Sequence, residues 1–190
     1  MSIRCFIAVE LEEGIQKNIA KLQSRLQKKL LGDSKIRWVK PERIHLTLKF
    51  LGDVDDIALP EICSAVSRAA AMNQPFDFEI GNCGCFGSGD SARILWVGVT
   101  QGQEDLETLH QAVDANLADI GFPPERRKFN PHLTLARIRN TASGRNARKI
   151  INQLEPTVLG GQNASEITVF QSELTPAGPI YTPLHHVSLQ

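Results

Sequence analysis

The chain has 190 residues and a formal net charge of zero, with 42% apolar and 22% charged residues. This composition is typical of a folded protein and excludes extensive disorder. Apolar runs are short, as at residues 6–9 and 94–97, far below the roughly 20 residues that a membrane-spanning helix needs. The N-terminus shows no signal-peptide pattern, and four scattered cysteines do not make a disulfide framework. The sequence therefore predicts a cytoplasmic protein that is not associated with membranes.

The net charge of zero conceals two basic windows. Residues 21–49 hold nine Lys or Arg and two acids, and residues 125–149 hold eight Lys or Arg and one acid. The rest of the chain is correspondingly acidic. Such a bipolar distribution suits an anionic ligand bound at one place, although two helices with solvated basic faces would give the same pattern.

In chain order, the first half predicts strands at residues 3–9 and 44–50 and helices at 14–31 and 57–72. The strands alternate in polarity, and the helices repeat apolar residues at three- and four-residue intervals. The second half predicts strands at 76–80, 92–99, 129–138, 166–174 and 180–188, and helices at 103–120 and 144–154. Four glycines between residues 81 and 89 predict a loop.

The order of these elements predicts the fold class. Successive strands joined by short connections argue against a doubly wound parallel sheet, and they favour an α+β fold with mainly antiparallel pairing. Each half of the chain contains one strand with the sequence His-Leu-Thr-Leu and two helices, which suggests an internal duplication.

The tetrapeptide His-Leu-Thr-Leu occurs at residues 45–48 and again at residues 132–135. Five His and nine Thr in 190 residues would give about 0.24 His-x-Thr pairs by chance when matches to a template are counted. Side chains two residues apart in a strand lie on one face, roughly 6–7 Å apart along it. Each motif therefore presents an imidazole beside a hydroxyl, while its leucines face the core.

Two such pairs supply the groups needed for displacement at phosphorus without a metal. Because histidine titrates near neutrality, one imidazole can accept a proton while the other donates one. Threonine hydroxyls can donate hydrogen bonds to anionic oxygens. A single His-x-Thr pair is usually an ordinary strand feature, but two matching copies within the basic windows favour phosphate chemistry.

The duplicated motif resembles that of the two-histidine (2H) phosphoesterases, and most of all the RNA 2′,3′-cyclic phosphodiesterases, also called 2′-5′ RNA ligases. The similarity runs nearly end to end, through residues 4–9, 45–52, 84–86, 93–99, 131–137 and 174–181. It implies two pseudo-symmetric lobes with mainly antiparallel sheets, outer helices and an active-site groove between them. We expect one two-lobed domain over residues 1–190.

The resemblance also implies a reaction, namely hydrolysis of an RNA-terminal 2′,3′-cyclic phosphate to a 2′-phosphomonoester. Such proteins can also join that end to a 5′-hydroxyl through a 2′-5′ bond. By motif match, His45 would donate a proton to the leaving 3′-oxygen, His132 would activate water, and Thr47 and Thr134 would hold the nonbridging oxygens. Sequence symmetry alone does not decide which histidine is the acid. RNA ends or nucleotides with a cyclic phosphate are the expected ligands, and no metal, cofactor or obligate protein partner is implied.

Four further residues are candidates for substrate binding. Lys49 lies on the histidine face of its predicted strand and could contact phosphate, although a solvated lysine is the alternative. Arg137 could pair with phosphate, but strict alternation puts it on the leucine face, so either the strand bends there or the arginine is structural. Phe50 and Tyr181 could stack nucleobases, although most aromatic side chains belong to the core. Weaker stacking candidates are Trp38, Phe86 and Phe129.

The sequence leaves three alternatives open. The substrate could be a 2′-5′ oligonucleotide or a cyclic nucleotide-sugar phosphate. The site could also bind RNA ends without turnover. Finally, His45 and His132 could be metal ligands, although Cys83 and Cys85 do not complete a zinc site because a second ligand pair is missing.

Overall fold

The computed structural model describes residues 2–176 and 178–190, over which the chain forms nine strands and four α-helices. The strands are β1 (Ser2–Val9), β2 (Ile36–Trp38), β3 (Leu46–Asp55), β4 (Phe76–Phe86), β5 (Ile94–Gln101), β6 (His132–Ile138), β7 (Val158–Ala164), β8 (Glu166–Thr175) and β9 (Gly178–Ser188). The helices are α1 (Glu13–Lys29), α2 (Leu59–Ala70), α3 (Gln103–Ala118) and α4 (Thr141–Ile151). In the described part of the chain, no helix is both long and apolar enough to cross a membrane.

The strands form two sheets in which every ladder is antiparallel. The first sheet has the order β3-β1-β8-β9 and the second has the order β2-β6-β5-β4-β7. Helices α2 and α3 pack on the first sheet, and α1 and α4 pack on the second. The predicted α+β class with two antiparallel lobes and outer helices is confirmed.

Helix α1 shows how the local sequence defines an element of this fold. Its apolar stripe, which includes Ile15, Ile19 and Leu26, is buried in the main core. The helix ends two residues before the predicted boundary, because Leu31 adopts a left-handed conformation at φ 54° and Gly32 at φ 64°. The Gly32 N–H then donates to the Gln27 carbonyl at 3.0 Å, which satisfies one of the last carbonyls of the helix.

A β-bulge in β3 determines which side chains face the site. In the ladder with β1, Ala8 pairs with Thr47 and Ile7 pairs with Lys49, so Leu48 is an extra residue on β3. A bulge of this kind interrupts the alternation of faces along the strand. Leu48 is buried at 3% exposure, and the residues after it have exchanged faces relative to the predicted pattern.

Strand β6 contains the same bulge at the corresponding position of the second motif. In the ladder with β5, Trp96 pairs with Thr134 and Leu95 pairs with Ala136, so Leu135 is the extra residue. The residue after each bulge turns inward: Ala136 is fully buried. The next residue, Arg137, is exposed on the same face of the strand as His132 and Thr134.

The bulges determine which face of the strand the residues after each motif occupy, which strict alternation left open for Arg137. Lys49 and Ala136 point to the core face, whereas Phe50 and Arg137 emerge on the histidine face. The strand therefore does bend at Arg137. The expected placement of Lys49 on the histidine face is wrong. Phe50, which strict alternation from Leu46 would put on the leucine face, lies instead on the face of Phe6 and His45.

Several predicted boundaries also differ from those of the structure. The glycine-rich segment predicted as a loop belongs to β4 as far as Phe86, because Gly84 accommodates a neighbouring side chain and does not form a turn. Strands β2 and β7 were not predicted, since β2 has only three residues and β7 contains two glycines and an asparagine. Helix α4 begins at Thr141 because the Asn140 side chain accepts a hydrogen bond from the Ser143 N–H.

Candidate active site

His45 directly precedes β3, and the backbone fixes the orientation of its ring. Its Nδ1 atom lies 3.0 Å from the carbonyl oxygen of Arg43, two residues earlier. A carbonyl oxygen can only accept a hydrogen bond, so Nδ1 carries a proton and donates it. The neutral ring therefore keeps its Nε2 lone pair free for a substrate.

The imidazole of His45 rests on a cluster of aromatic rings. It stacks on Phe6 with the ring centroids 4.6 Å apart, and Tyr181 meets it edge-on at 5.1 Å. Phe6 stacks in turn on Phe170 at 5.1 Å. Burial lowers the pKa of His45 to about 4, against the opposing effect of its backbone hydrogen bond.

His132 opens β6 and repeats the same arrangement. Its Nδ1 atom lies 2.7 Å from the carbonyl oxygen of Asn130, again two residues earlier. The rings of Phe86 and Trp96 meet the imidazole edge-on, with centroids at 4.9 and 6.4 Å. Burial lowers the pKa of His132, and the positive charge of Arg137 lowers it further. Both motif histidines thus have their Nε2 atoms available for acid–base chemistry.

Trp96 occupies its place beside His132 because a glycine lies opposite it. Trp96 pairs with Gly84 across β4 and β5 and with Thr134 across β5 and β6. A Cβ atom on Gly84 would lie 2.1 Å from the indole ring, so no larger residue fits there without displacing the indole. The strand ladders therefore hold Trp96, Thr134 and His132 on one face of the second sheet.

The two sheets bring the motif strands together. Cα atoms of β3 and β6 lie within 8 Å of one another. Tyr181, which touches His45 from the first sheet, has a pKa raised by burial, while the positive charges of Arg137 and Arg43 oppose that rise. Arg137 belongs to the second sheet and also acts on His132. The electrostatic field of Arg137 thus reaches the surroundings of both motif histidines.

Lys49 takes a role that the sequence did not predict. It is 3% exposed, forms an ion pair with Asp114 of α3, and donates a hydrogen bond to the Pro123 carbonyl at 2.9 Å. It lies on the core face of β3, away from His45. Direct contact between Lys49 and phosphate is therefore not supported by its position.

The remaining candidates divide between the motif face and other regions. Phe50 is 57% exposed and its ring centroid is 5.9 Å from that of Phe6. Phe86 contacts His132 as described above. Phe129 stacks at 4.2 Å on the buried His110, whose Nδ1 atom lies 2.9 Å from the carbonyl oxygen of Leu48, behind the first motif. Among the described residues, no group of three or more His, Cys, Asp or Glu side chains is placed to hold a metal ion.

Three of the rings that support the histidines, Phe6, Phe170 and Trp96, are not among the candidates that the sequence provides. Phe6 and Phe170 lie in apolar strands where nothing distinguishes a site residue from a core residue, since both are buried. Trp96 lies in a similar apolar run. A glycine opposite a tryptophan on the neighbouring strand is a signal that could have identified Trp96, because Gly84 leaves the space that the indole ring fills.

The chain is similar in sequence to proteins that are named as phosphodiesterases. A protein from Methanothermobacter thermautotrophicus named RNA 2′,3′-cyclic phosphodiesterase is 34% identical over 184 residues, which cover 97% of both chains. A protein of the same name from Methanocaldococcus jannaschii is 31% identical over 179 residues, covering 94% of this chain and 96% of the relative.

Solved structures show the same fold. The crystal structure of TT0787 of Thermus thermophilus superposes with a TM-score of 0.82 at 26% identity, covering 98% of each chain. The crystal structure of E. coli LigT complexed with 3′-AMP superposes with a TM-score of 0.74 at 23% identity, covering 99% of this chain and 98% of LigT. The second likeness concerns the fold alone.

The family model described as LigT like Phosphoesterase matches the chain twice, at residues 9–96 and 97–181. Each match contains one His-Leu-Thr-Leu motif. The two matches together cover most of the chain, and they agree with the duplication suggested by the repeated motif. The chain belongs to the LigT-like family of 2H phosphoesterases.

Proposed function

We propose that the chain hydrolyses RNA-terminal 2′,3′-cyclic phosphates to 2′-phosphomonoesters, with His45 as the proton donor and His132 as the proton acceptor. The observation that carries this proposal is the matching orientation of the two imidazoles. Each donates its Nδ1 proton to a carbonyl two residues earlier and leaves Nε2 free. The names of relatives that match 94–97% of the chain support the same activity.

The proposed step is an in-line displacement at phosphorus. His132 Nε2 accepts a proton from water as the water oxygen bonds to phosphorus, and the bond from phosphorus to the 3′-oxygen breaks. His45 Nε2 donates a proton to that oxygen, which leaves as the 3′-hydroxyl. The hydroxyls of Thr47 and Thr134 donate hydrogen bonds to the nonbridging oxygens, whose negative charge grows in the transition state.

The assignment of acid and base follows the motif match, since burial lowers the pKa of both histidines and does not by itself separate their roles. Arg137 lowers the pKa of His132, so it favours the neutral ring that a base requires. Burial alone lowers the pKa of His45, and the negative charge of a bound phosphodiester opposes that effect by favouring the imidazolium. Arg137 also lies on the motif face, where its guanidinium can pair with the phosphate.

Aromatic side chains on the motif face supply the nucleoside contacts in this proposal. Tyr181 lies edge-on to His45, and the exposed ring of Phe50 lies with its centroid 5.9 Å from that of Phe6. Such rings can stack a nucleobase without reading its identity. Replacing water by the 5′-hydroxyl of an RNA would give a 2′-5′ linkage through the same bond-breaking step, so ligation is included in the proposal.

Turnover of 2′,3′-cyclic CMP by the histidine variants tests the proposal. We expect His45→Ala and His132→Ala each to lose about 10²–10⁴ in kcat, as is typical when a general acid or base is removed. His185→Ala is the control, because this histidine contacts Ser67 and not the motifs. Chromatography should identify the product as the 2′-phosphate. A motif variant with the wild-type rate, or formation of the 3′-phosphate, would contradict the proposal.

A further inference from the structure

Each of the two motif bulges is held by a buried polar side chain from a helix. At the first motif, the Nδ1 atom of His110 on α3 lies 2.9 Å from the carbonyl oxygen of Leu48. At the second, the Nε2 atom of Gln23 on α1 lies 3.1 Å from the carbonyl oxygen of Leu135. Leu48 and Leu135 are the extra residues of the two bulges. The same backbone position is therefore held from a helix in both motifs.

The amide group of Gln23 uses both of its N–H donors at the second bulge. The extra residue of a bulge interrupts the ladder, and buried carbonyls then need donors from elsewhere. The Leu135 carbonyl accepts from Gln23 and also from the Val39 N–H at 2.9 Å. The other amide proton of Gln23 goes to the Val39 carbonyl at 2.8 Å. Gln23 thus holds Leu135 against the residue that follows β2.

Gln23 is a polar residue within the apolar stripe of its helix. The other buried residues of α1 are all apolar, namely Ile15, Ile19, Leu22 and Leu26. Gln23 is only 4% exposed, and burying an amide group is unfavourable unless it is hydrogen-bonded. The two backbone carbonyls that it meets therefore account for a glutamine at this position.

The carbonyl that Gln23 holds lies where the register of β6 changes. On one side of Leu135, Thr134 pairs with Trp96, and on the other side Arg137 pairs with Ile94, so the register shifts by one residue between these pairs. A bulge that moved by one residue would exchange the faces of the residues that it passes. The presence of Arg137 on the face of His132 therefore depends on where the bulge is held.

We propose that Gln23 is a positioning residue for the reaction: its hydrogen bonds hold the bulge at Leu135 and so keep the Arg137 guanidinium on the face where the substrate phosphate binds. The inference rests on the proposed function, in which Arg137 pairs with that phosphate. It adds a core residue of α1, outside both motifs, to the groups on which turnover depends. Gln23 acts through the strand and does not contact the substrate.

A double-variant cycle with 2′,3′-cyclic CMP as the substrate tests whether Gln23 acts through Arg137. Gln23→Met removes both N–H donors and keeps an unbranched side chain. It should lower kcat/KM about tenfold, which is part of the roughly 100-fold that a misplacement of 1 Å can cost. In the Arg137→Ala background the same change should cost less than about twofold, because the group that Gln23 positions is already absent. A role in stability alone would not depend on Arg137.

His110→Phe is the matched control, because it removes the equivalent hydrogen bond at the first bulge and keeps an aromatic ring against Phe129. Arg137 does not follow that bulge, so the change in kcat/KM caused by His110→Phe should be the same factor with and without Arg137. Urea unfolding identifies the variants that are folded under the assay conditions. Gln23→Leu is a second replacement without donors and should give the same result as Gln23→Met.

The outcomes separate this inference from the proposed function. If the wild-type protein does not turn over 2′,3′-cyclic CMP, the proposed function is wrong and the inference falls with it. If the wild-type protein is active, three results would refute the inference alone. These are wild-type kcat/KM in the folded Gln23 variants, equal losses with and without Arg137, or the same dependence on Arg137 in the His110 control.

Discussion

Protonating His45 in the unliganded protein is unfavourable, because the imidazolium would be buried against Phe6 and Tyr181. At His132, burial has the same effect, and the charge of Arg137 adds to it. A phosphodiester carries a negative charge and stabilises an imidazolium beside it. In this account, substrate binding itself brings His45 into the acid form that the reaction needs.

The pH dependence of turnover follows from these shifts. For kcat/KM, which reports the free enzyme, the curve should be bell-shaped with both limbs below pH 6.5, because the pKa values of His45 and His132 are lowered. For kcat the limbs should move to higher pH, since bound phosphate favours protonation. Initial rates from pH 4 to 9 measure both curves. A flat profile, or limbs that do not move between them, would refute two-histidine catalysis.

His45 should also make the fold sensitive to acid. Its pKa is about 4 when folded and 6.5 in the unfolded reference, so the unfolded chain binds more protons between those values. The free energy of unfolding should therefore decrease as the pH falls from 6.5 to 4. The variant His45→Phe should lack this contribution, which urea titrations at pH 7.5 and 4.5 would reveal. Equal pH dependence in both proteins would contradict the buried position of the ring.

At the scale of elements, the ion pair between Lys49 and Asp114 joins β3 to α3. Replacing one partner leaves the other charge buried, so Asp114→Ala should lower the free energy of unfolding by about 3–5 kcal/mol. The double variant Lys49→Met/Asp114→Leu should recover most of this loss, because apolar pairs replace buried ion pairs well.

Urea unfolding of the single and double variants measures this coupling. The double variant still lacks the hydrogen bonds that Lys49 and Asp114 make with the backbone of Pro123 and Glu125, so part of the loss should remain. Equal destabilisation in the single and double variants would show that the charges are not coupled.

The strands that carry the motifs were predictable from the sequence, but the faces of the residues that follow each motif were not. Alternating leucines placed both His-Leu-Thr-Leu motifs on strands and on the correct faces, because their burial requires it. The bulges at Leu48 and Leu135 depend on how β1 and β5 pair with these strands. That pairing is a tertiary property, which explains why Lys49 was assigned to the wrong face.

Strand β7 shows a different limit of sequence reasoning. Its residues include Gly160, Gly161 and Asn163, which have low strand propensity. The strand forms because it pairs with β4, whose Phe78 opposes Gln162. Propensity alone would assign this segment to a loop, and tertiary pairing overrides it.

At the scale of the whole molecule, the two halves of the sequence interleave. The first sheet combines β1 and β3 from the first half with β8 and β9 from the second. Each basic window contributes an arginine to the site, because Arg43 from one and Arg137 from the other both act on Tyr181. These two charges attract anions beside the motif histidines.

A crystal structure of the protein with bound 2′-CMP, the product of the proposed reaction, tests most directly whether His45 and His132 serve one phosphoryl group. We predict that the Nε2 atoms of both rings lie within about 2.6–3.2 Å of oxygens of the same phosphate. The hydroxyls of Thr47 and Thr134 should contact its other oxygens. A phosphate held by only one motif, with the second imidazole turned to a separate region, would contradict the account.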